Sequence, residues 1–195
     1  MSIAFIFPGQ GSQSPGMGKG LFEAFGASRE VFQEVDEALG ERLSRVIFEG
    51  SADELTLTAN AQPALMAVSL AVMRALEREF GVTVGTAAFV AGHSLGEYSA
   101  LASVGALSLP DSAKLLRRRG NAMQTAVPIG GGAMAALIGK VDVALAEEIA
   151  SKGAEAGICV VANDNNIGNV VISGSRAGID AALAYAKERG ARVIP

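Results

Sequence analysis

The five residues GHSLG at 92–96 constrain this chain more than any other stretch. An apolar run, 87–92, precedes them and a helix-like pattern, 96–104, follows. A strand that turns into a helix over so few residues leaves no room for side chains at the flanks of the turn, and both flanks are glycine. Such a turn lifts Ser94 clear of a sheet. It also sets the hydroxyl at a helix N-terminus, where backbone N–H groups and the dipole favour an oxyanion. The Leu95 N–H is the natural donor. A G-x-S-x-G can arise by chance in a chain with 24 glycines, but the strand-before, helix-after context favours a nucleophile. His93 is the only histidine in the chain. Adjacent side chains at such a turn point apart, so His93 is expected to be structural, packed under the turn. Glu97 is expected to be a first-turn charge that answers the helix dipole. The pattern therefore supplies a serine nucleophile and no histidine to take its proton.

The rest of the chain reads as alternating strands and helices. Residues 3–7 form a buried strand ended by Pro8-Gly9, and a glycine-, serine- and glutamine-rich loop follows. Helical spacing runs over 28–39, with Ser28 as N-cap and Gly40 as stop. It returns over 63–80, with Pro63 early and Gly81 just after, and over 111–124, which carries Arg117, Arg118 and Arg119. Pro128 and the glycines 130–132 mark a hinge. Beyond it the order is strand (133–138), helix (142–152), strand (158–162), strand (169–173), helix (176–189) and strand (191–194). That β-α-β-β-α-β order is ferredoxin-like. The division is 1–128 and 129–195. The fold class is α/β.

Composition narrows the classes. Half of the 195 residues are hydrophobic, enough for a packed core, and the net charge of −4 argues against a nucleic-acid binder. No segment approaches the ~18 consecutive apolar residues of a membrane span. The N-terminus has no basic region and too short an apolar run for a signal peptide. Cys159, the single cysteine, excludes an intrachain disulfide and is expected to be buried in a strand. A soluble protein of a reducing, cytoplasmic compartment is expected, with no cofactor and no metal.

Six motifs then occur in order: FPGQGSQ at 7–13, AQPAL at 61–65, GHSLGEYSAL at 92–101, RGNAMQ at 119–124, GAMAALIG at 132–139 and VVISG at 170–174. Together they resemble the malonyl-CoA:acyl carrier protein transacylases of bacterial fatty acid synthesis. The malonyl acyltransferase domains of polyketide synthases are similar. The resemblance covers the whole chain. It implies that residues 1–128 are part of an α/β-hydrolase-like subdomain into which the ferredoxin-like one is inserted. It makes Ser94 the acyl-accepting nucleophile and gives Gln10 a backbone N–H in the oxyanion hole beside that of Leu95. It gives Arg119 the free carboxylate of malonate and Gln62 a place in the same pocket. Asn163 and Asn165, in the looser match ANDNN, would bind substrate. The implied partners are malonyl-CoA and acyl carrier protein.

The family's catalytic histidine lies in a short Pro-x-His or Ser-x-His stretch after the last strand of the small subdomain. The chain stops at Pro195, before that point. The expectation is an N-terminal fragment, inactive or weak alone, with the missing C-terminal half as a further partner. The chemistry suits the residues. An acyl-serine ester divides transfer between two thiols into two steps. A guanidinium offers a buried carboxylate two parallel donors and permanent charge. Arg117 and Arg118 are expected to be a solvated helix face. A serine esterase would share the elbow but not the PGQGSQ loop or an arginine opposite Ser94. A non-catalytic acyl-CoA-binding fragment is the other alternative.

Overall fold

The computed structural model describes residues 3–128 and 130–194. Ile129, at the expected boundary, lies outside the described residues, as do Met1, Ser2 and Pro195. The described chain is a mixed α/β structure that divides into two compact units at Ala126/Val127.

In the first unit, β1 (Ile3–Phe7) pairs in parallel with β2 (Ala87–Gly92), ending with Phe7 beside Gly92. Around this ribbon stand α1 (Lys19–Ala24), α2 (Gly26–Leu39), α3 (Leu43–Glu49), α4 (Ala52–Thr56), α5 (Thr58–Phe80), α6 (Leu95–Ser103) and α7 (Leu109–Thr125). The core lies between the helices. Val31, Phe32 and Val35 of α2 meet Leu65, Met66 and Leu70 of α5 and Leu116 of α7, all buried. Phe22, Phe32 and Phe48 close one end with edge-to-face contacts at centroid distances of 5.0–5.9 Å. The ribbon has an exposed face. Ala4 and Ile6 of β1 and Phe89 and Ala91 of β2 all point to it, with Ile6 77% and Phe89 73% exposed.

Helix ends follow local chemistry. Gly81 stops α5 in the left-handed conformation at φ 66°. Ser108 caps α7 by accepting from the Asp111 N–H at 3.1 Å. Two expectations are corrected here. Ser28 is not an N-cap: α2 begins at Gly26, and the buried Ser28 hydroxyl donates to the Ala71 carbonyl of α5 at 2.8 Å. Helix α5 begins at Thr58, five residues before Pro63, so the proline sits inside the helix.

That proline has a consequence. Without an N–H it cannot bond the carbonyl four residues back, which is that of Ala59. The Arg117 Nη1 fills the gap and donates to the Ala59 oxygen at 2.5 Å. Arg117 is therefore not the solvated residue expected. It is partly buried and also donates to Asn60 Oδ1 at 2.6 Å and pairs with Glu41. Arg118 is exposed.

The second unit holds β3 (Gly132–Ile138), α8 (Val143–Ala154), β4 (Cys159–Asn166), β5 (Asn169–Ser175), α9 (Arg176–Glu188) and β6 (Arg192–Ile194). Its four strands form an antiparallel sheet in the order β4-β5-β3-β6. Ala135 and Leu137 of β3 and Val170 and Ile172 of β5 alternate onto a core with Ile149 of α8 and Ile179 of α9. Asp142 and Ser175 cap the two helices. Cys159 is buried in β4, as expected, and desolvation pushes its thiol pKa above the ordinary value.

Candidate active site

Sterics fix the elbow. A Cβ on Gly92 would run into the backbone of Gly96 and Glu97, and one on Gly96 would meet the Phe7 carbonyl and lie 2.8 Å from that of Pro8. The second glycine thus serves the neighbouring strand end as well as the turn itself. Ser94 takes φ 54°, ψ −113°, and is the one non-glycine residue with positive φ among the described residues. Such a conformation costs roughly 1–3 kcal/mol and persists where surrounding contacts impose it. Here these include the Gly96 N–H bond to the His93 carbonyl at 2.9 Å and the His93 N–H bond to the Phe7 carbonyl at 3.1 Å.

Ser94 is exposed and immediately precedes α6, whose first residue is Leu95. The Leu95 N–H therefore belongs to the first turn, which has no intrahelical acceptors. His93 is also exposed, with its ring against Gly9: a Cβ there would lie 2.5 Å from Nδ1. Glu97 is an exposed acid in the first turn of α6. The PGQG loop leaves β1 beside the elbow. Its Gln10 Nε2 donates to Thr58 Oγ1 at 3.2 Å, and the Ser12 hydroxyl donates to the Gly9 carbonyl at 2.8 Å.

The Arg119 guanidinium joins two helices to the elbow. Its Nη2 donates to Ser94 Oγ at 3.0 Å, and its Nη1 donates to Gln62 Oε1 at 2.5 Å. Gln62 is fully buried, and its Nε2 donates to Met123 Sδ at 3.2 Å. The amide orientation follows from chemistry: a guanidinium only donates, so the oxygen must face it. The Arg119 Cζ stands 5.9 Å from the centroid of the Tyr98 ring. Among the described residues, two of the guanidinium's five N–H donors are engaged.

The structure thus joins Ser94, Gln62 and Arg119 by hydrogen bonds, with Leu95 next to the serine, while the Gln10 side chain bonds to Thr58 of α5. Asn163 and Asn165 lie on β4 in the second unit, where Asn165 Nδ2 donates to Asn169 Oδ1 at 3.3 Å. The sequence reading did not single out Tyr98, Met123 or Thr58. A signal existed for two of them: Tyr98 is four residues after Ser94, and Met123 four after Arg119, one helical turn along in each case. Among the described residues no cluster of three or more His, Cys, Asp or Glu could hold a metal, and no helix is long and apolar enough to cross a membrane.

Comparison with known proteins supplies independent bearings. Residues 4–194 match the family model described as acyl transferase domain. The chain is 51% identical over 195 residues to the malonyl CoA-acyl carrier protein transacylase of Bacillus subtilis (strain 168), covering 99% of this chain and 60% of that protein. It is 41% identical over 194 residues to the Escherichia coli (strain K12) transacylase, covering 99% and 62%. Among solved structures, the acyl-carrier-protein-S-malonyltransferase of Bartonella henselae superposes with a TM-score of 0.93 at 59% identity, over 100% of this chain and 62% of that one. A malonyl-transacylase in complex with a type II polyketide synthase acyl-carrier protein also matches, with a TM-score of 0.91 at 38% identity, over 100% and 62%. The chain spans about three fifths of the length of these relatives.

Proposed function

The chain belongs to the acyl transferase domain family, and on that premise we propose that it carries the nucleophile and the carboxylate-binding residues for malonyl transfer from malonyl-CoA to acyl carrier protein. The single observation that carries this reading is the Arg119 guanidinium bonded at once to Ser94 Oγ and to the buried Gln62 amide. It puts a permanent cation within reach of an acyl group on the serine. An esterase for neutral acyl groups has no use for it there.

In the first step the Ser94 oxygen attacks the thioester carbonyl. The C–S bond breaks, CoA leaves as its thiol, and the serine proton passes to it through a base. The Leu95 and Gln10 N–H groups receive the tetrahedral oxyanion. In the second step the phosphopantetheine thiol of the carrier attacks the serine ester, and Ser94 regains its proton. Arg119 holds the distal carboxylate in both steps. The Arg119 guanidinium bonded to Ser94 Oγ is permanently protonated and cannot take that proton, so the base comes from elsewhere. We assign it to the further sequence by which the relatives exceed this chain. The exposed face of Ala4, Ile6, Phe89 and Ala91 is read as the seat of that same polypeptide, since a two-stranded ribbon with a bare apolar face is poorly stable alone. The first unit is taken as the α/β-hydrolase-like subdomain, and the second as ferredoxin-like, which its sheet order supports. The setting is cytoplasmic. Asn163 and Asn165 stand as substrate contacts on the resemblance alone.

The test incubates the chain with malonyl-CoA and acyl carrier protein, with and without the C-terminal remainder of its reading frame. Mass spectrometry reads malonyl-Ser94 and malonyl carrier protein. Slow Ser94 acylation by the chain alone and full transfer with the remainder are expected. Absence of malonyl-Ser94 in both arms refutes the assignment and leaves the non-catalytic, acyl-CoA-binding reading. Full turnover by the chain alone refutes the missing base.

A further inference from the structure

The contact between α5 and α7 holds more than a packed interface requires. Ala59, in the first turn of α5, is bonded from α7 at both of its backbone groups. Its carbonyl, orphaned by Pro63, accepts from Arg117 Nη1 at 2.5 Å, and its N–H donates to Gln124 Oε1 at 3.4 Å. Between those two side chains lies Gly120, buried against α5. A Cβ there would stand 2.6 Å from both the Ala59 Cα and the Thr58 oxygen. Positions 117, 120 and 124 recur at helical spacing, so one stripe of α7 seizes one residue of α5.

One turn further along α5, three residues after Ala59, is Gln62. On α7, Arg119 and Met123, the residues immediately before Gly120 and Gln124, hold the two ends of the Gln62 amide. The two grips share the same pair of rigid helices. The separation set at Ala59 is therefore the separation at which Nη1 meets Oε1. Thr58, whose carbonyl lies against Gly120, accepts from the Gln10 side chain.

We propose that the grip on Ala59 sets the preference for a carboxylated acyl group, with Arg117, Gly120 and Gln124 as positioning residues for Gln62 and Arg119. The inference rests on the malonyl-transfer reading above. A methyl group at position 120 must move from 2.6 Å to the 3.4 Å of ordinary contact, a shift of about 0.8 Å. Added to the 2.5 Å between Nη1 and Oε1, a shift of that size takes a charge-assisted bond beyond its normal length. The guanidinium then loses its anchor and turns on its own stem. A malonyl donor depends on that anchor, because its carboxylate must find the fork in one orientation. An acetyl donor has no carboxylate and does not.

The experiment uses the protein at its full natural length and measures kcat/KM for malonyl-CoA and for acetyl-CoA. In Gly120→Ala the malonyl value should fall roughly 10- to 100-fold, since a displacement near 1 Å can cost about 10²-fold. The acetyl value should stay within about threefold. Arg117→Met should lower the ratio in the same direction, mainly through KM for malonyl-CoA, and Arg117→Lys, which keeps a donor for the Ala59 carbonyl, should restore most of it. Should Gly120→Ala fail to fold, Arg117→Met and Gln124→Met decide. A merely structural contact would lower both donors together or change the melting temperature alone, and either result overturns the proposal. No malonyl transfer by the unmutated protein refutes the acyl-transfer reading, and this inference with it. Malonyl preference that survives every variant refutes the inference alone.

Discussion

On the proposed malonyl-transfer reading, replacing Arg119 by alanine should separate recognition of the carboxylate from catalysis at the serine. The side chain makes two hydrogen bonds in the structure, and the substitution leaves their partners in different states. Ser94 is exposed and can turn to water. The buried Gln62 oxygen loses the only donor it has among the described residues. An unsatisfied buried acceptor costs about 1–3 kcal/mol, so the variant should melt at a lower temperature than the parent. That loss is common to every substrate. The malonyl carboxylate suffers a second loss, since removing one partner of a buried, hydrogen-bonded charge pair costs roughly 2–5 kcal/mol. At about 1.4 kcal/mol per factor of ten, that is roughly thirtyfold to several thousandfold in kcat/KM. The assay follows CoA release from malonyl-CoA and acetyl-CoA at full length, with carrier protein saturating. Malonyl transfer should fall by such a factor. Acetyl transfer should hold or rise, because Ser94 Oγ is no longer tied to Nη2. Arg119→Ala combined with Gln62→Leu removes the stranded amide and should recover stability without recovering malonyl transfer. Equal losses for the two donors would refute the placing of the carboxylate on Arg119.

The elbow glycines give a sharper structural test: Gly96→Ala should unfold the first unit or lower its melting temperature strongly, because the new methyl meets backbone carbonyls that cannot turn aside, whereas Gly20→Ala, with open space around it, should be nearly silent. The raised Cys159 pKa has a sign that denaturation at several pH values can check. The folded chain keeps the thiol protonated, so this contribution to stability is complete below the unfolded pKa and declines as pH rises from there toward the folded one; stability that increases over that range would contradict it. Substituting lysine for Ile6 and for Phe89 should reduce self-association of this 195-residue chain in sedimentation runs, and unchanged association would show that the exposed ribbon face is not what drives it.

Much of this architecture was legible because the signals are local. The elbow is written into the sequence by two glycines that sterics demand, and α7 by its helical spacing over 111–124, although its first turn and Ser108 cap were not read there. The short helices α1, α3 and α4 were not legible. They run five to seven residues, too few for a periodic stripe, and are held by tertiary contacts such as the Phe22–Phe48 pair. Strand β4 extends to Asn166, past the apolar run, because its polar end is paired with β5 across two bulges, and pairing leaves no mark on composition. The site divides in the same way. Ser94 declares itself through its turn, but nothing in the order of residues shows that Arg119 reaches 25 positions back to it, or 57 back to Gln62. Arg117 is the clearest instance. In sequence it is one of three consecutive arginines, and its neighbour Arg118 is as solvated as the pattern suggests. What separates it is Pro63, fifty-four positions away, which frees a carbonyl that the Arg117 guanidinium on the facing helix satisfies. A proline that reads as a helix start is instead the reason one arginine is drawn inward, and its removal by Pro63→Ala would return the Ala59 carbonyl to the α5 ladder and compete with Arg117 for it.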